Sequence, residues 1–228
     1  MSENGFSLVE LTIVLFIMGL LVQASIEPLG QRLEQRRRLN AAEQLRQVQE
    51  HLRAHWVSYG HLPCPIVAGT ATTQRCLQGV GGVPAAELSM MGAVSASGEL
   101  LDPWGHTLKY AVSLSDVNAD EAANTPDWLT AGDISQVLFT ELEAELEVCL
   151  QAAPRECVAS DHVAADLVAV VVSGGSTRTL REEDNWDSDS RFIHAPFSSA
   201  EPHEFDDQLI WIGRSELIYL ALQSGWLL

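Results

Sequence analysis

Basic residues are scarce: 13 Lys and Arg stand against 31 Asp and Glu, a net charge of −18 over 228 residues. The shortage is uneven. Residues 1–60 carry six acids and six Arg, while residues 61–228 carry 25 acids and seven Lys or Arg. An acidic body repels phosphate backbones, which excludes general nucleic-acid binding by that part. Charged residues are few (19%) and apolar ones many (46%), the inverse of a disordered composition, so most of the chain folds. The length suits one domain, or one domain with an appendage. No internal repeat is visible. The four Cys contain no C-x-x-C and have no His at zinc-finger spacing, so a zinc ribbon or finger is excluded. They read instead as two local pairs, Cys64 with Cys76 and Cys149 with Cys157. Two short disulfides in an oxidising compartment are expected, against the alternative of buried thiols in a cytosolic protein. No Ser/His/Asp or Cys/His set stands out, and Ser173-Gly174-Gly175-Ser176 is too short for a phosphate loop or nucleophile elbow. The chain is therefore not read as an enzyme.

What is present begins at the N-terminus. After Met1-Ser2-Glu3-Asn4-Gly5, the stretch from Phe6 to Ile26 contains one ionisable residue, Glu10. As a helix rising about 1.5 Å per residue it matches the ~30 Å apolar core of a bilayer. A carboxylate there costs about 2.5–3.5 kcal/mol unless neutralised or paired. Glu10 is either protonated near the membrane edge or awaits a cation from another molecule. The leader lacks the Lys or Arg of a secretory signal, although Val22-Gln23-Ala24 has the small-residue character of a cleavage site. Four Arg within residues 32–38 favour, by the positive-inside rule, a cytoplasmic C-terminal side.

Gly5, then Phe6-Ser7-Leu8-Val9-Glu10, then the apolar run from Leu11 to Val22 resembles the class III prepilin signal of type IV pilins and type II secretion pseudopilins. The resemblance implies cleavage between Gly5 and Phe6 by a prepilin peptidase on the cytoplasmic face, and methylation of the new Phe6 amine. It implies that Glu10 then meets the Phe6 amine of a neighbouring subunit during filament assembly. Two such charges in a low-dielectric bundle are tolerable only as a pair. Gly19 and Pro28 match family positions that bend or loosen the helix. Pro28, lacking a donor, independently predicts a kink near residues 24–28. Glu3 departs from the basic leader usual in the family.

Beyond Pro28, Leu45, Val48, Leu52, Trp56 and Tyr59 recur at steps of three and four, the pattern of an amphipathic helix ended by Gly60 and Pro63. Residues 60–106 are loop-rich. Asp102-Pro103-Trp104-Gly105 is turn chemistry, with Asp102 as its cap, and Thr107–Ser113 alternates as a strand. That turn and strand, with Leu62-Pro63-Cys64-Pro65, extend the pilin resemblance into the head. Strands are also predicted at residues 167–172, a continuous apolar run covered on both faces, and at 208–212. Residues 136–150 fit either period, and the adjacent Cys149–Cys157 pair favours a strand from about 143. The tail from Glu216 is expected to pack back as a short helix.

The expected fold is α+β, with a long kinked N-terminal helix, half of it transmembrane, packed on an antiparallel sheet in the pilin manner. The parts are a leader (1–5), a transmembrane or filament-core half-helix (6–27), an amphipathic half-helix (28–60) and a periplasmic head (61–228). The implied function is a minor pilin-like subunit that assembles into or primes a type IV pilus. Type II secretion pseudopilin and membrane-anchored periplasmic binding or enzymatic domain are the alternatives. The implied partners are the peptidase, other subunits and the inner membrane. No cofactor is called for, but one structural metal is a candidate. Asp184, Asp187, Asp189, Asp206 and Asp207 offer hard oxygen ligands for calcium in the acidic segment that also holds Glu182 and Glu183, against a solvated loop as the alternative. His51 and His55, four apart, have no evident third ligand and read as an exposed helix face. Trp104, Trp128, Trp186 and Trp211 read as core or rim packing.

Overall fold

The structure is a computed structural model that describes residues 7–70, 76–117, 126–130, 138, 140–150, 157, 161–177, 180–200 and 204–225, without the side chains of 22–29, 180, 181 and 184. It divides into two compact units, residues 1–40 and 41–228. Helix α1 (Leu8–Tyr59) runs uninterrupted through Gly19 and Pro28. In the first unit every large apolar side chain from Leu8 to Leu21 is exposed, from 45% at Val14 to 79% at Leu8. No helix among the described residues is long and apolar enough to cross a membrane. Further along, Glu34 and Arg38 pair at 3.4 Å one turn apart.

The second unit is α+β with a curled, mixed sheet. Its strands are β1 (Val80–Gly82), β2 (Lys109–Val112), β3 (Leu146–Cys149), β4 (His162–Ser173), β5 (Arg191–Ile193) and β6 (Gln208–Gly213). Helix α2 (Arg214–Ser224) follows directly. The 12-residue β4 is the spine. Its first half pairs with β3, its second half with β2, and residues 167–173 pair with β6, all antiparallel. Register shifts interrupt both the β3 and the β6 ladders, and Asp166 takes φ 53°. Such irregularities bend and twist a strand, which gives the sheet its curl. The expected antiparallel sheet needs one correction: β5 lies parallel to β3. The chain between them already contains β4 and a 3₁₀ turn at Leu180–Asn185, and a crossover of that length lets a strand return in the same direction.

The apolar run of β4 is central, as expected, with a core on each face. One core joins Leu45, Val48, Leu52 and Trp56 of α1 to Tyr110, Val112, Val168, Val171, Ile212 and Leu217. The other holds Val170, Val172, Phe192 and Leu209. Of the five residues predicted to face the core from α1, Tyr59 does not: it is 58% exposed, beyond the last buried turn. Gly60 at φ 72° then ends the helix, its N–H donating to Trp56 O at 2.9 Å, a left-handed cap that glycine adopts without steric cost. Leu217 and Ala221 hold α2 against the core.

Cys64 is joined to Cys76 and Cys149 to Cys157. The first bond closes a short loop in a segment with little core of its own. Loop-closure entropy gives such a bond about 3 kcal/mol. The Cys64→Ser/Cys76→Ser variant is expected to lower the denaturation free energy by about that amount, and chemical denaturation of the full chain in detergent measures it.

Candidate functional site

Gly5 and Phe6 lie outside the described residues. Glu10 sits in the first turn of α1, exposed on the apolar segment. Around it the backbone is regular: Leu11 N donates to Ser7 O at 3.1 Å, and Thr12 Oγ1 donates to Val9 O at 2.8 Å. Glu10 is the only acid or base from Ser7 to Ile26. From Leu8 to Leu20 the helix is thus an exposed apolar surface bearing a single carboxylate.

Asp102 is the turn cap predicted for it. Its Oδ1 accepts from Trp104 N at 3.0 Å and His106 N at 2.8 Å, and its Oδ2 accepts from Ser173 Oγ at 3.0 Å. The side chain is engaged in structure, not held ready for chemistry.

The acidic segment is rearranged relative to expectation. Asp187 and Asp189 do not join Asp206 and Asp207. Asp189 pairs with the Arg191 guanidinium at 2.9 Å, and Asp187 Oδ1 accepts from Asp189 N at 3.2 Å. The side chain of Asp184 lies outside the described residues. The residue that does join is Glu182, on the 3₁₀ turn. Its carboxylate accepts from Asp206 N at 2.6 Å and from Asp207 N at 3.4 Å. One carboxylate oxygen each from Glu182, Asp206 and Asp207 lies within 4.8 Å of the other two. All three side chains are buried, at 0%, 6% and 5% exposure. Of the acids named from sequence, Asp206 and Asp207 thus lie together with Glu182, while Asp189 is held by Arg191 and Asp187 by a local turn.

The neighbourhood of these acids is ordered by local turns. Ser176 N, Ser176 Oγ and Thr177 N donate to Asp206 Oδ2 at 2.8, 2.8 and 3.2 Å. Gly175 at φ 58° lets the loop pass so close that a Cβ there would lie 2.4 Å from the Asp206 carboxyl. Gly175 thus seats this carboxylate, while Gly174 lies against Trp186, where a Cβ would come within 2.4 Å of the ring. Asp207 Oδ2 accepts from Asn185 Nδ2 at 2.8 Å and Trp186 Nε1 at 3.2 Å. Burial, with the fields of Glu182 and Asp206 adding to it, pushes Asp207 up to about 7, against the pull of its two donors.

Sequence reasoning also missed Lys109, which stands buried in β2 with Nζ donating to Asn185 O at 2.8 Å and Asp187 O at 2.6 Å, 4.8 Å from the Phe192 ring. Burial lowers it to about 8, opposed by Asp187, Asp189 and Asp207. Lys109 ties the sheet to the 185–187 segment. A lysine in an alternating strand predicts an outward face, so no local signal marks it as buried.

Among the described residues His51 and His55 join no group of three candidate metal ligands. His51 Nδ1 shares a hydrogen bond with Leu88 O at 2.8 Å, and the His55 ring lies 4.5 Å from Tyr59 and 5.3 Å from His61. Burial, then the neighbouring His61, lowers His55 to about 4 from 6.5, with a backbone bond at Glu87 opposing. The folded pKa lies below the unfolded one, so between pH 6.5 and 4 the unfolded chain binds the extra proton. Stability contributed by neutral His55 is therefore complete above pH 6.5 and lost as pH falls towards 4. For a half-buried ring the effect is about 1–2 kcal/mol. His55→Gln is expected to flatten the acid limb of denaturation midpoint against pH by that amount.

No family model matches this chain, and no curated protein or solved structure matches it either.

Proposed function

We propose that this chain is a pilin-like structural subunit, a minor one, which a prepilin peptidase processes at Gly5–Phe6 and which joins or primes a type IV pilus filament. A type II secretion pseudopilus is the alternative filament, and the same chemistry serves in both. The single observation that carries the reading is the apolar rod with Glu10 in its first turn. Eleven large apolar side chains from Leu8 to Leu21 are exposed, by 45% to 79%. Burying a side chain of this kind is worth roughly 1.5–3 kcal/mol, on the order of 20 kcal/mol together. A hydrocarbon phase or a bundle of like helices supplies that cover. Glu10 favours the bundle, where an amine from a neighbour pairs with it.

In this reading the apolar run continues past Leu21 and spans the inner membrane before assembly, with the head in the periplasm. Two disulfides suit that oxidising compartment. In this reading Gly19 and Pro28 are the positions at which the otherwise continuous helix can loosen. The head is a packed structural body and not an enzyme.

Crosslinking in intact cells, followed by peptide mapping, tests the reading. The expected neighbours of residues 8–21 are the corresponding apolar segments of other subunits bearing a Gly-Phe-x-x-x-Glu signal. Crosslinks from that segment to lipid alone, with none to another such subunit under filament-forming conditions, contradict it.

A further inference from the structure

The Arg-rich stretch beyond the apolar run has no task in filament assembly, and its charge favours the opposite orientation in a membrane. Residues 27–40 hold four Arg and two acids, Glu27 and Glu34, in a chain whose net charge is −18. The fold sorts these charges. Glu34 pairs with Arg38 at 3.4 Å. Arg32, Arg36 and Arg37 are exposed, and among the described residues no carboxylate pairs with them. The other two arginines of α1 are neutralised: Arg46 bridges Glu43 and Glu50, and Arg53 pairs with Glu216. At about 100° per residue, Arg32, Leu33, Arg36, Arg37 and Leu39 fall within one arc of about 160°, and Glu34 and Arg38 fall outside it. Leu33 and Leu39 are 54% and 63% exposed. A helix face of arginines interleaved with leucines, without an acid, has the composition of a membrane-surface helix.

We infer that Arg32, Arg36 and Arg37 bind the phosphates of anionic phospholipids on the membrane face from which the helix emerges. The inference rests on the apolar run being inserted in a membrane, and not on its assembly into a filament. With the run ending at Ile26, Arg32 stands about 9 Å beyond the apolar core and Arg36 about 15 Å. The headgroup layer is about 5–8 Å deep, and its potential reaches a further Debye length of about 8 Å. Long arginine stems extend back towards that layer, and the guanidinium fork fits a phosphate with two parallel hydrogen bonds. The head does not compete for these lipids, because its 25 acids against seven Lys or Arg repel them. An acidic protein surface is the competing occupant. The continuity of this face with the apolar run, and the two leucines within it, favour lipid.

Native mass spectrometry of the full chain released from lipid nanodiscs tests this. In discs of mixed phosphatidylcholine and phosphatidylglycerol, the lipids retained on the chain are expected to be enriched in phosphatidylglycerol at least about fivefold over its share of the disc, the attraction of one arginine to an anionic surface. The triple variant Arg32→Gln, Arg36→Gln, Arg37→Gln is expected to enter the discs equally well and to retain the two lipids in proportion to their shares. Arg46→Gln, which removes an arginine already paired, is expected to change nothing. An undiminished preference in the triple variant, or no preference in the unaltered chain, overturns the inference and leaves membrane insertion standing. A second copy retained by the unaltered chain and lost by the triple variant, without a lipid preference, overturns it in favour of an acidic protein surface. Failure to enter discs of either lipid overturns membrane insertion and the inference with it.

Discussion

Glu10→Ala is expected to reduce incorporation of this chain into filaments by at least about 100-fold while leaving membrane insertion intact. In the proposed assembly Glu10 and the Phe6 amine of the next subunit are desolvated together. Removing one partner of a buried pair leaves the other charge without compensation, a loss of about 3–5 kcal/mol, and each 1.4 kcal/mol is a factor of ten. Insertion moves the other way, because deleting a carboxylate from an apolar helix makes the segment easier to place in lipid. Glu10→Gln separates charge from shape: it keeps the size and hydrogen bonding of the side chain and is expected to fail nearly as badly. Quantifying the chain in sheared filaments and in membranes measures both effects. Normal incorporation of either variant contradicts the pairing role.

Trp56→Ala is expected to destabilise the head by about 3–5 kcal/mol. Trp56 is fully buried on the inner face of α1, its ring lies 5.6 Å from Trp128, and its Nε1 donates to Leu217 O at 3.0 Å. One side chain therefore joins the helix, the 126–130 turn and α2. Truncation opens a cavity and also leaves the Leu217 carbonyl, buried beside it, without that donor. Against a total stability of about 5–15 kcal/mol for a domain, the loss is large. Trp56→Phe keeps most of the packing and is expected to cost about 1–2 kcal/mol, chiefly the hydrogen bond. Urea denaturation of the full chain in detergent distinguishes the two, and a loss below 1 kcal/mol for Ala contradicts the placement of Trp56 at the centre of the core.

Much of the head was legible because its signals are local. The run at 167–172 lies inside β4, buried on both faces, and residues 208–212 lie inside β6. Asp102 caps the turn its neighbours dictate. Of the ambiguous stretch 136–150, residues 136, 137 and 139 lie outside the described residues, and Leu146–Cys149 forms β3, a later start than the expected one near 143. The parts that escaped are short or non-local. β1 and β5 have three residues each, too few for a period to show. The parallel pairing of β5 with β3 depends on where a long crossover returns the chain. Glu182 was visible as an acid, but its union with Asp206 and Asp207 spans 24 residues and is made by the fold. Asp189 is taken by Arg191 and Asp187 by the Asp189 backbone N–H, contacts that only the folded segment makes.

The N-terminus carries the largest consequence of the sequence reading, and the chemistry there leaves a covalent record. Peptide mass spectrometry of the chain isolated from its native membranes reads that record directly. The filament assignment predicts an N-terminal peptide that begins at Phe6 and carries a methyl group on its amine. A chain that begins at Met1, or at Ser25 after removal of the apolar rod, contradicts it.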